Sequence, residues 1–510
     1  MNPIIPGFAP DPSIVLVDDT YYVVNSSFHI FPGLPIYASK DLVSWRHITN
    51  AFNRREQLSL KASDTTHSPP GEWGEVMSAT GGLYAPTIRY RDGTFYVICT
   101  NVIRAEGEEK DGQRMQNFII TTTDIHSHRW SDPIFFDFDG IDTSLVWDER
   151  GKAYLHGSAA PGPMTTIKMF EIDVKTGAKL SGERLLWTGT GGIWPEGPHI
   201  YRKDGWWYLV ISEGGTFEDH MITVARSKEL FGPYEPNPKN PILTACGTGE
   251  YIQHTGHCDV FCDKQGQWWC VCLGVRQDPK KRYVMGRETF ITPGSWPEGD
   301  WPTLQPVKMD PAAAYGRQVG KPSALSSEPL VDLCYIRDVD LSKHKISDDG
   351  KTIELISSTA DLSNARDPVS FIGKRQRVLD GRSSVVLLTP PHGVSGKAGL
   401  AVYKDEFRYA RIYTDMKTGE VVLEVVNKPK GINRLTRKAC PAAGKDIELQ
   451  LAYTEDSYTF SFSTAGENVK FDSFDTLDLV GPDFTGPVVG VFFTSSQDGS
   501  SVTFRNLRVD

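Results

Sequence analysis

APDPSIVLVDDTYYVV, residues 9–24, decides the fold, because four later stretches repeat its layout. They are YAPTIRYRDGTFYVI (84–98), IDTSLVWDERGKAYL (141–155), WPEGPHIYRKDGWWYLV (194–210) and TGHCDVFCDKQGQWWCV (255–271). Each has a short polar or Pro-containing lead, an apolar run, a turn with Asp or Gly, and a second aromatic-rich run. Aligned over Ala9–Tyr22, Tyr84–Tyr96, Ile141–Tyr154, Trp194–Tyr208 and Thr255–Trp269, Asp11 and Asp142 share one register and Glu196 lies one residue off it. Ala85 takes the second place and His257 the fifth. Repeats of roughly 40–70 residues that read as strand, turn, strand and further short strands are the mark of a β-propeller. A propeller sets the first strand of every blade against a central channel, so the starts of those strands converge on one cavity. Local turn chemistry accounts for Asp and Pro at any single hairpin end. It does not account for five in succession with acids in register.

At 510 residues the chain is too long for one ordinary domain. The propeller is expected over 1–305. Pro293–Pro329 is rich in Pro, Gly, Ala and Ser, and its Trp296, Trp301 and Leu304 suit a strap across the first domain better than a free tether. The connector proper is placed at 306–329. From about Leu330 the texture changes to short alternating runs between charged turns, such as TIELIS (352–357), SSVVLLT (383–389), EVVLEVV (420–426) and YTFSFST (458–464). These predict an antiparallel, jelly-roll-like β-sandwich over 330–510. The whole chain is therefore read as all-β.

The net charge of −10 argues against nucleic acid, which needs clustered Lys and Arg. Neutral polyols and sugars suit an acidic, aromatic-rich surface. No apolar run approaches the roughly 18–20 residues of a membrane span. The opening MNPIIPGFAPDPS has no basic segment followed by an apolar core, so the expectation is a cytoplasmic protein, or a secreted one if a leader has been removed. Cys258, Cys262, Cys270 and Cys272 sit in the fifth hairpin without a CxxC knuckle, and read as buried thiols rather than a zinc site. Asn25-Ser26-Ser27 is a formal glycosylation sequon inside an apolar strand, where a glycan has no room.

Three carboxylates in one cavity divide labour: one activates water, one protonates a leaving oxygen, and the third sets their charge states. Glycosidic hydrolysis needs the first two, about 6.5–9.5 Å apart for inversion and about 5–5.5 Å for retention. Pro10 and Pro12 flank Asp11 and are expected to hold it rigidly. Glu196 lies two residues after Trp194, and a dry aromatic neighbour would raise its pKa as a general acid requires.

These residues carry a resemblance to glycoside hydrolase family 43. It runs through Asn2–Ser13 (NPIIPGFAPDPS), Asn25–Phe28 with Phe31–Gly33, Ser39–Trp45, Tyr84–Tyr90, Ile141–Ser144, Glu196–His199, Gly256-His257 and Gly286–Glu288, and reaches Tyr403–Glu406 in the second domain. The order and spacing of the motifs are specific where each alone is weak. The resemblance implies a five-bladed propeller with a C-terminal sandwich. It also implies an inverting hydrolase with Asp11 as general base, Glu196 as general acid and Asp142 orienting the acid and tuning its pKa. Arg287 matches the family's arginine at the substrate hydroxyls; the residues alone allow a surface ion pair with Glu288 equally well. His257 matches a histidine that in relatives supports a calcium ion, mostly through waters; a hydrogen-bonded core histidine is the alternative.

A sugar face stacks on rings, and Phe31, Tyr84 and Trp194 are the candidates, with Trp147, Trp206 and Trp207 assigned to the core. Ala85 and Thr216 match pocket-lining positions of the family. Many members have Trp where this chain has Tyr84, so the terminal-sugar pocket is expected to be wider or differently bonded. In relatives the sandwich lends an aromatic to the pocket rim; Phe484 is the matching residue, with a core position as the alternative. The resulting expectation is an exo-acting enzyme that releases xylose from the non-reducing ends of xylo-oligosaccharides, with α-L-arabinofuranosidase activity on the same site. The rivals are an arabinoxylan-debranching arabinofuranosidase, a non-catalytic carbohydrate-binding propeller and a calcium-dependent scaffold.

Overall fold

The computed structural model describes residues 2–68, 76–104, 113–311, 325–441, 444–497 and 499–510. The first half is a five-bladed propeller. The blades open with the strands Ser13–Val17, Thr87–Arg91, Gly140–Trp147, Glu196–Lys203 and Ile252–Cys262. Each pairs antiparallel with the strand that follows it, and further strands step outward, as in Gly140–Trp147, Ala153–Ala159, Thr166–Glu171 and Arg184–Trp187 of blade 3. The five opening strands touch one another in a closed ring. The turns at Asp18-Asp19, Asp92-Gly93 and Asp204-Gly205 place Asp18, Asp92, Gly93, Asp204 and Gly205 at positive φ, which Asp and Gly tolerate best.

The chain start closes the ring. Asn2 exchanges hydrogen bonds with Ile291 and donates to the Lys308 carbonyl, while Ile5 bridges Thr289 of blade 5. Trp296, expected in the strap, instead belongs to blade 5, whose outer strands are Glu288–Ser295 and Thr303–Leu304. It is buried against Tyr208 and Trp268. Ser326–Ser327 then pairs in parallel with Arg46-His47 at the outer edge of blade 1. Of the expected connector, 312–324 lies outside the described residues.

The second half is a sandwich of two sheets, almost wholly antiparallel. One runs Leu333–Ile336, Phe371–Arg375, Val488–Thr494, Lys397–Asp405, Arg408–Asp415, Glu420–Asn427 and Ile432–Ala439. The other is built around Thr352–Ile356, Ser501–Val509, Gly381–Leu387, Ile447–Tyr453 and Ser457–Thr464. Alternation drives their facing: Leu449, Leu451 and Tyr453 are buried with partly or fully exposed residues between them. Ile30–Phe31, from the propeller's first blade, extends the first sandwich sheet by pairing with Tyr335-Ile336. The two domains are thus joined by a shared sheet and a continuous apolar core. The described residues include no helix long and apolar enough to cross a membrane.

Candidate active site

A cavity of about 440 Å³ opens at the start of the inner strands and is lined by Asp11, Asp142, Glu196 and Arg287. The volume lies within the usual range of small-ligand sites. Ala85, Tyr84, Trp194, Thr216, His257 and Phe484 line it as well. Residues scattered over 470 positions of sequence therefore meet in one place.

The backbone aims the acids by a repeated device. Asp11, Asp142, Trp194 and His257 all have positive φ, at 51°, 54°, 58° and 44°. The ladders of blades 3, 4 and 5 slip in register at Ile141/Ser144, Glu196/His199 and Gln253/Gly256/Cys258. A bulge re-aims a side chain out of the pleat, and each non-Gly residue held at such φ costs on the order of 1–3 kcal/mol that the surrounding sheet must offset. Asp11 departs from the extended backbone expected before Pro12. Asn25, 0% exposed, holds the segment by donating to the carbonyls of Ala9 (3.0 Å) and Pro10 (2.8 Å) and to Thr289 Oγ1 (2.8 Å). The sequon asparagine is a clamp behind Asp11.

Asp11 Oδ2 accepts a hydrogen bond from Ser26 Oγ at 2.5 Å, and Arg287 Nη1 stands 3.6 Å from Oδ1. Arg287 also donates to Thr216 Oγ1 at 2.9 Å, and its Nε and Nη2 have no hydrogen-bond partner among the described residues. The alternative pairing with Glu288 does not occur. Glu288 is taken by a two-pronged contact from Arg276 and by the Gly7 amide. Asp142 Oδ2 accepts from the Gly197 amide at 3.0 Å and lies 4.0 Å from His257 Nδ1. Because Gly197 follows Glu196 directly, Asp142 grips the backbone of the acid. A Cβ at Gly197, where φ is +58°, would stand 2.9 Å from His257 Nδ1, so this contact requires glycine.

Burial pushes the Glu196 carboxyl well above the usual carboxylate range, and the negative charges of Asp142 and Asp11 push it further while Arg287 opposes them. Burial also raises Asp142, which His257, the Gly197 amide and Arg287 partly offset. The cavity thus favours a protonated Glu196.

Tyr84, Trp194 and Phe484 line the cavity, and Phe31 does not. Phe484 projects from the sandwich to 6.0 Å from the Tyr84 ring, and the Arg287 guanidinium lies 4.6 Å from its centroid. Glycines permit this approach: a Cβ at Gly286 would lie 2.7 Å from Gly486 Cα, and one at Gly486 would lie 2.7 Å from the Met285 carbonyl oxygen. Phe31 does not reach the cavity. Its strand joins the sandwich sheet, and its ring is buried against Phe52 and Tyr335. Phe28, three residues earlier and at φ +49°, faces the cavity instead, 5.1 Å from Tyr84 and 5.7 Å from Phe484. The left-handed turn at Phe28 is what sequence alternation misses. Trp147, Trp206 and Trp207 lie away from the cavity in blade contacts.

Below the acids a second set of residues, not foreseen from the sequence, binds all five blades. Arg89 of blade 2 donates to Asp259 Oδ2 of blade 5 at 2.8 Å, Ser13 Oγ of blade 1 at 3.2 Å, Ser144 Oγ of blade 3 at 3.4 Å and His199 Nδ1 of blade 4 at 2.8 Å. Tyr201 and Ser13 hydroxyls complete the Asp259 shell at 2.6 and 2.7 Å. Ser13 and Ser144 stand two residues beyond Asp11 and Asp142, so the same contacts that lock the ring fix the roots of the acids.

Calcium takes roughly 6–8 oxygen ligands. Around His257 the nearby carboxylate already accepts from Gly197, Ser212 Oγ accepts from the His257 amide, and Asp259 is saturated by Arg89 and its neighbours. Among the described residues no three His, Cys, Asp or Glu side chains are grouped to hold an ion. These donors do not fit a directly ligated calcium, and the Arg89 guanidinium brings a positive charge to the channel. Cys258, Cys270 and Cys272 are buried free thiols.

Comparison with known proteins agrees with this architecture. The family model for glycosyl hydrolases family 43 matches residues 1–302, and that for the β-xylosidase C-terminal concanavalin A-like domain matches 332–509. The non-reducing-end α-L-arabinofuranosidase BoGH43B of Bacteroides ovatus is 33% identical over 96% of this chain and 90% of its own length. A xylosidase/arabinosidase of Butyrivibrio fibrisolvens is 32% identical over 84% and 82%. Among solved structures, a xylan β-1,4-xylosidase of Bacillus halodurans superposes with a TM-score of 0.84 at 26% identity, covering 99% of each chain. With a family model spanning the propeller and its acids, and a second spanning the sandwich, the chain belongs to glycosyl hydrolases family 43 and is a glycoside hydrolase.

Proposed function

We propose that the enzyme is an exo-acting, inverting pentosidase that releases xylose from the non-reducing ends of xylo-oligosaccharides and accepts α-L-arabinofuranosides in the same pocket. The observation that carries this reading is the place of Phe484, from the second domain, in the wall of the acid-lined cavity beside Arg287 and Tyr84. A wall contributed by the second domain leaves room for a chain end and not for a chain running through. The names of the similar proteins, xylosidase, arabinosidase and arabinofuranosidase, support the pentose class.

In this mechanism Asp11, hydrogen-bonded to Ser26, takes a proton from water as it attacks the anomeric carbon. Glu196, kept protonated by burial and by its acidic neighbours, gives its proton to the leaving oxygen. Asp142 holds the Gly197 amide, fixes the approach of Glu196 and sustains its high pKa. Arg287 offers its unpartnered Nε and Nη2 to sugar hydroxyls, and its bond to Thr216 sets the fork in place. The reaction inverts the anomeric centre because water, not Asp11, forms the new bond.

Turnover of aryl β-xyloside and aryl α-L-arabinofuranoside, measured side by side, ranks the two activities. Activity on the arabinoside alone would make the enzyme a debranching arabinofuranosidase. NMR of the first-formed xylose tests inversion, with the α-anomer expected from a β-xyloside. Glu196→Gln is expected to lose at least about a hundredfold in turnover of unactivated substrates while retaining sugar binding; undiminished turnover removes Glu196 from its role.

A further inference from the structure

Arg104 ends the strand Thr94–Arg104 of blade 2 and is 4% exposed, yet it lines the same cavity as the acids. One of its nitrogens is spoken for: Nη2 donates to the Ala79 carbonyl at 3.0 Å and to the Tyr84 hydroxyl at 3.3 Å. The other two, Nε and Nη1, are buried and have no hydrogen-bond partner among the described residues. No carboxylate among the described residues forms an ion pair with it. Leaving two donors of a buried cation unmet costs free energy, and a protein tolerates that where a ligand supplies the acceptors.

The exposure of the lining gives the direction. Asp11, Asp142, Ala85 and Arg287 are all less than a tenth exposed and form the floor. Thr66, Ser68, Met77 and Met115 are partly exposed and Gln113 is exposed, which makes their side of the cavity the mouth. Arg104 is as buried as the floor, but its strand pairs it with Gln113 and its Nη2 holds the carbonyl of Ala79, which pairs with Thr66; it therefore roots the mouth side and meets the floor through Tyr84. In an end-acting pocket the released sugar enters deepest and the remainder of the substrate runs outward, past Arg104.

Resting on the glycosidase reading above, we propose that Arg104 binds the sugar on the leaving side of the scissile bond. Its free Nε and Nη1, which point to different sides of the guanidinium, donate to separate hydroxyls of the bound sugar, and the Thr66, Ser68 and Gln113 side lies along its outer edge. The soft side chains of Met77 and Met115 suit the apolar face of a ring. Tyr84 then has a second task besides meeting the terminal sugar: its hydroxyl holds the guanidinium fork in place.

The test compares xylobiose, whose leaving group is a sugar, with an aryl β-xyloside, whose leaving group has no hydroxyls to bind. In Arg104→Gln the ratio of kcat/KM for xylobiose over the aryl xyloside is expected to fall about ten- to a hundredfold, the range for losing hydrogen bonds from a charged donor. A ratio within about twofold of wild type overturns the proposal, as does an equal loss on both substrates. Arg104→Lys, which keeps the charge without the fork, is expected to show the same split and serves if the glutamine variant does not fold. Calorimetric binding of xylobiose against xylose, in Glu196→Gln and in Glu196→Gln/Arg104→Gln, reads the same subsite without turnover. Absent wild-type turnover would count against the glycosidase reading, while the binding ratio would still decide the role of Arg104.

Discussion

Replacing Arg89 with Met should destabilise the propeller by about 3–5 kcal/mol at pH 7, the usual consequence of removing one partner of a buried ion pair. Arg89 is 2.8 Å from Asp259, whose side chain is 2% exposed, and it also serves serines of blades 1 and 3 and His199 of blade 4. Burial works against the Asp259 charge, but Arg89, His199 and the Tyr201 and Ser13 hydroxyls outweigh it and hold the carboxyl far below the usual range. In the wild type this group adds stability above its unfolded pKa near 4, and that contribution is lost as pH falls towards the lower folded value. The variant reverses the sign. Without the guanidinium, burial raises the folded pKa of Asp259 above its unfolded value, so the deficit grows with pH above about 4 and shrinks on acidification. Urea unfolding followed by tryptophan fluorescence at pH 7 and pH 5 measures both effects. The double variant Arg89→Met/Asp259→Asn should recover part of the loss, since it leaves no bare charge. A single-variant deficit below about 1 kcal/mol, or one that does not shrink in acid, would refute the reasoning.

Asp142→Asn removes one of the negative charges that keep Glu196 protonated, so the alkaline limb of the kcat/KM profile should move to lower pH; an unchanged or higher limb would detach Asp142 from Glu196. Phe484→Ala opens the cavity wall and takes the ring from beneath Arg287. A fall in kcat/KM of roughly two- to thirtyfold is expected from a lost cation–π contact of about 0.5–2 kcal/mol, and activity undiminished on short substrates would place Phe484 outside the site. Chelation with EDTA is expected to leave rate and thermal midpoint unchanged, because the donors around His257 are already engaged within the protein; a loss restored by added calcium would overturn this and point to an ion held through waters.

The sequence made the propeller legible because its period is carried by apolar runs and Asp/Gly turns, which are local signals. The acids were legible for the same reason: each sits at a fixed distance from its run. What stayed hidden depends on backbone twist and on partners far along the chain. Alternation cannot show that Phe28 turns at φ +49° to face the cavity while Phe31 follows its strand into the sandwich. Nor can it show that Arg89, an unremarked residue of the second inner strand, meets Asp259 from 170 positions away. Arg287 and Glu288 illustrate the limit from the other side. They are adjacent in sequence and opposite in charge, yet strand alternation sends one to Asp11 and the other to Arg276.

The catalytic pocket is a property of both domains. Phe484 is held by a buried cluster in which Asp483, its neighbour, pairs with Lys404 at 2.6 Å and with Arg408, and Arg408 in turn pairs with Asp405. The Ser78 amide of the propeller donates to Pro482 at 2.8 Å, so the same short segment is tied to blade 2 and to the sandwich. Rigid placement from two sides lets a single aromatic ring act as a wall. Gly286 and Gly486 let the backbones touch where that wall meets Arg287, so a side chain at either position would force the two segments apart beside Phe484, and one at Gly486 would also strike Phe8 of the buried core. The preference for chain ends therefore resides in the seam between the domains, while the chemistry resides in the propeller, and substitutions at the seam should change which substrates enter without changing how the bond is broken.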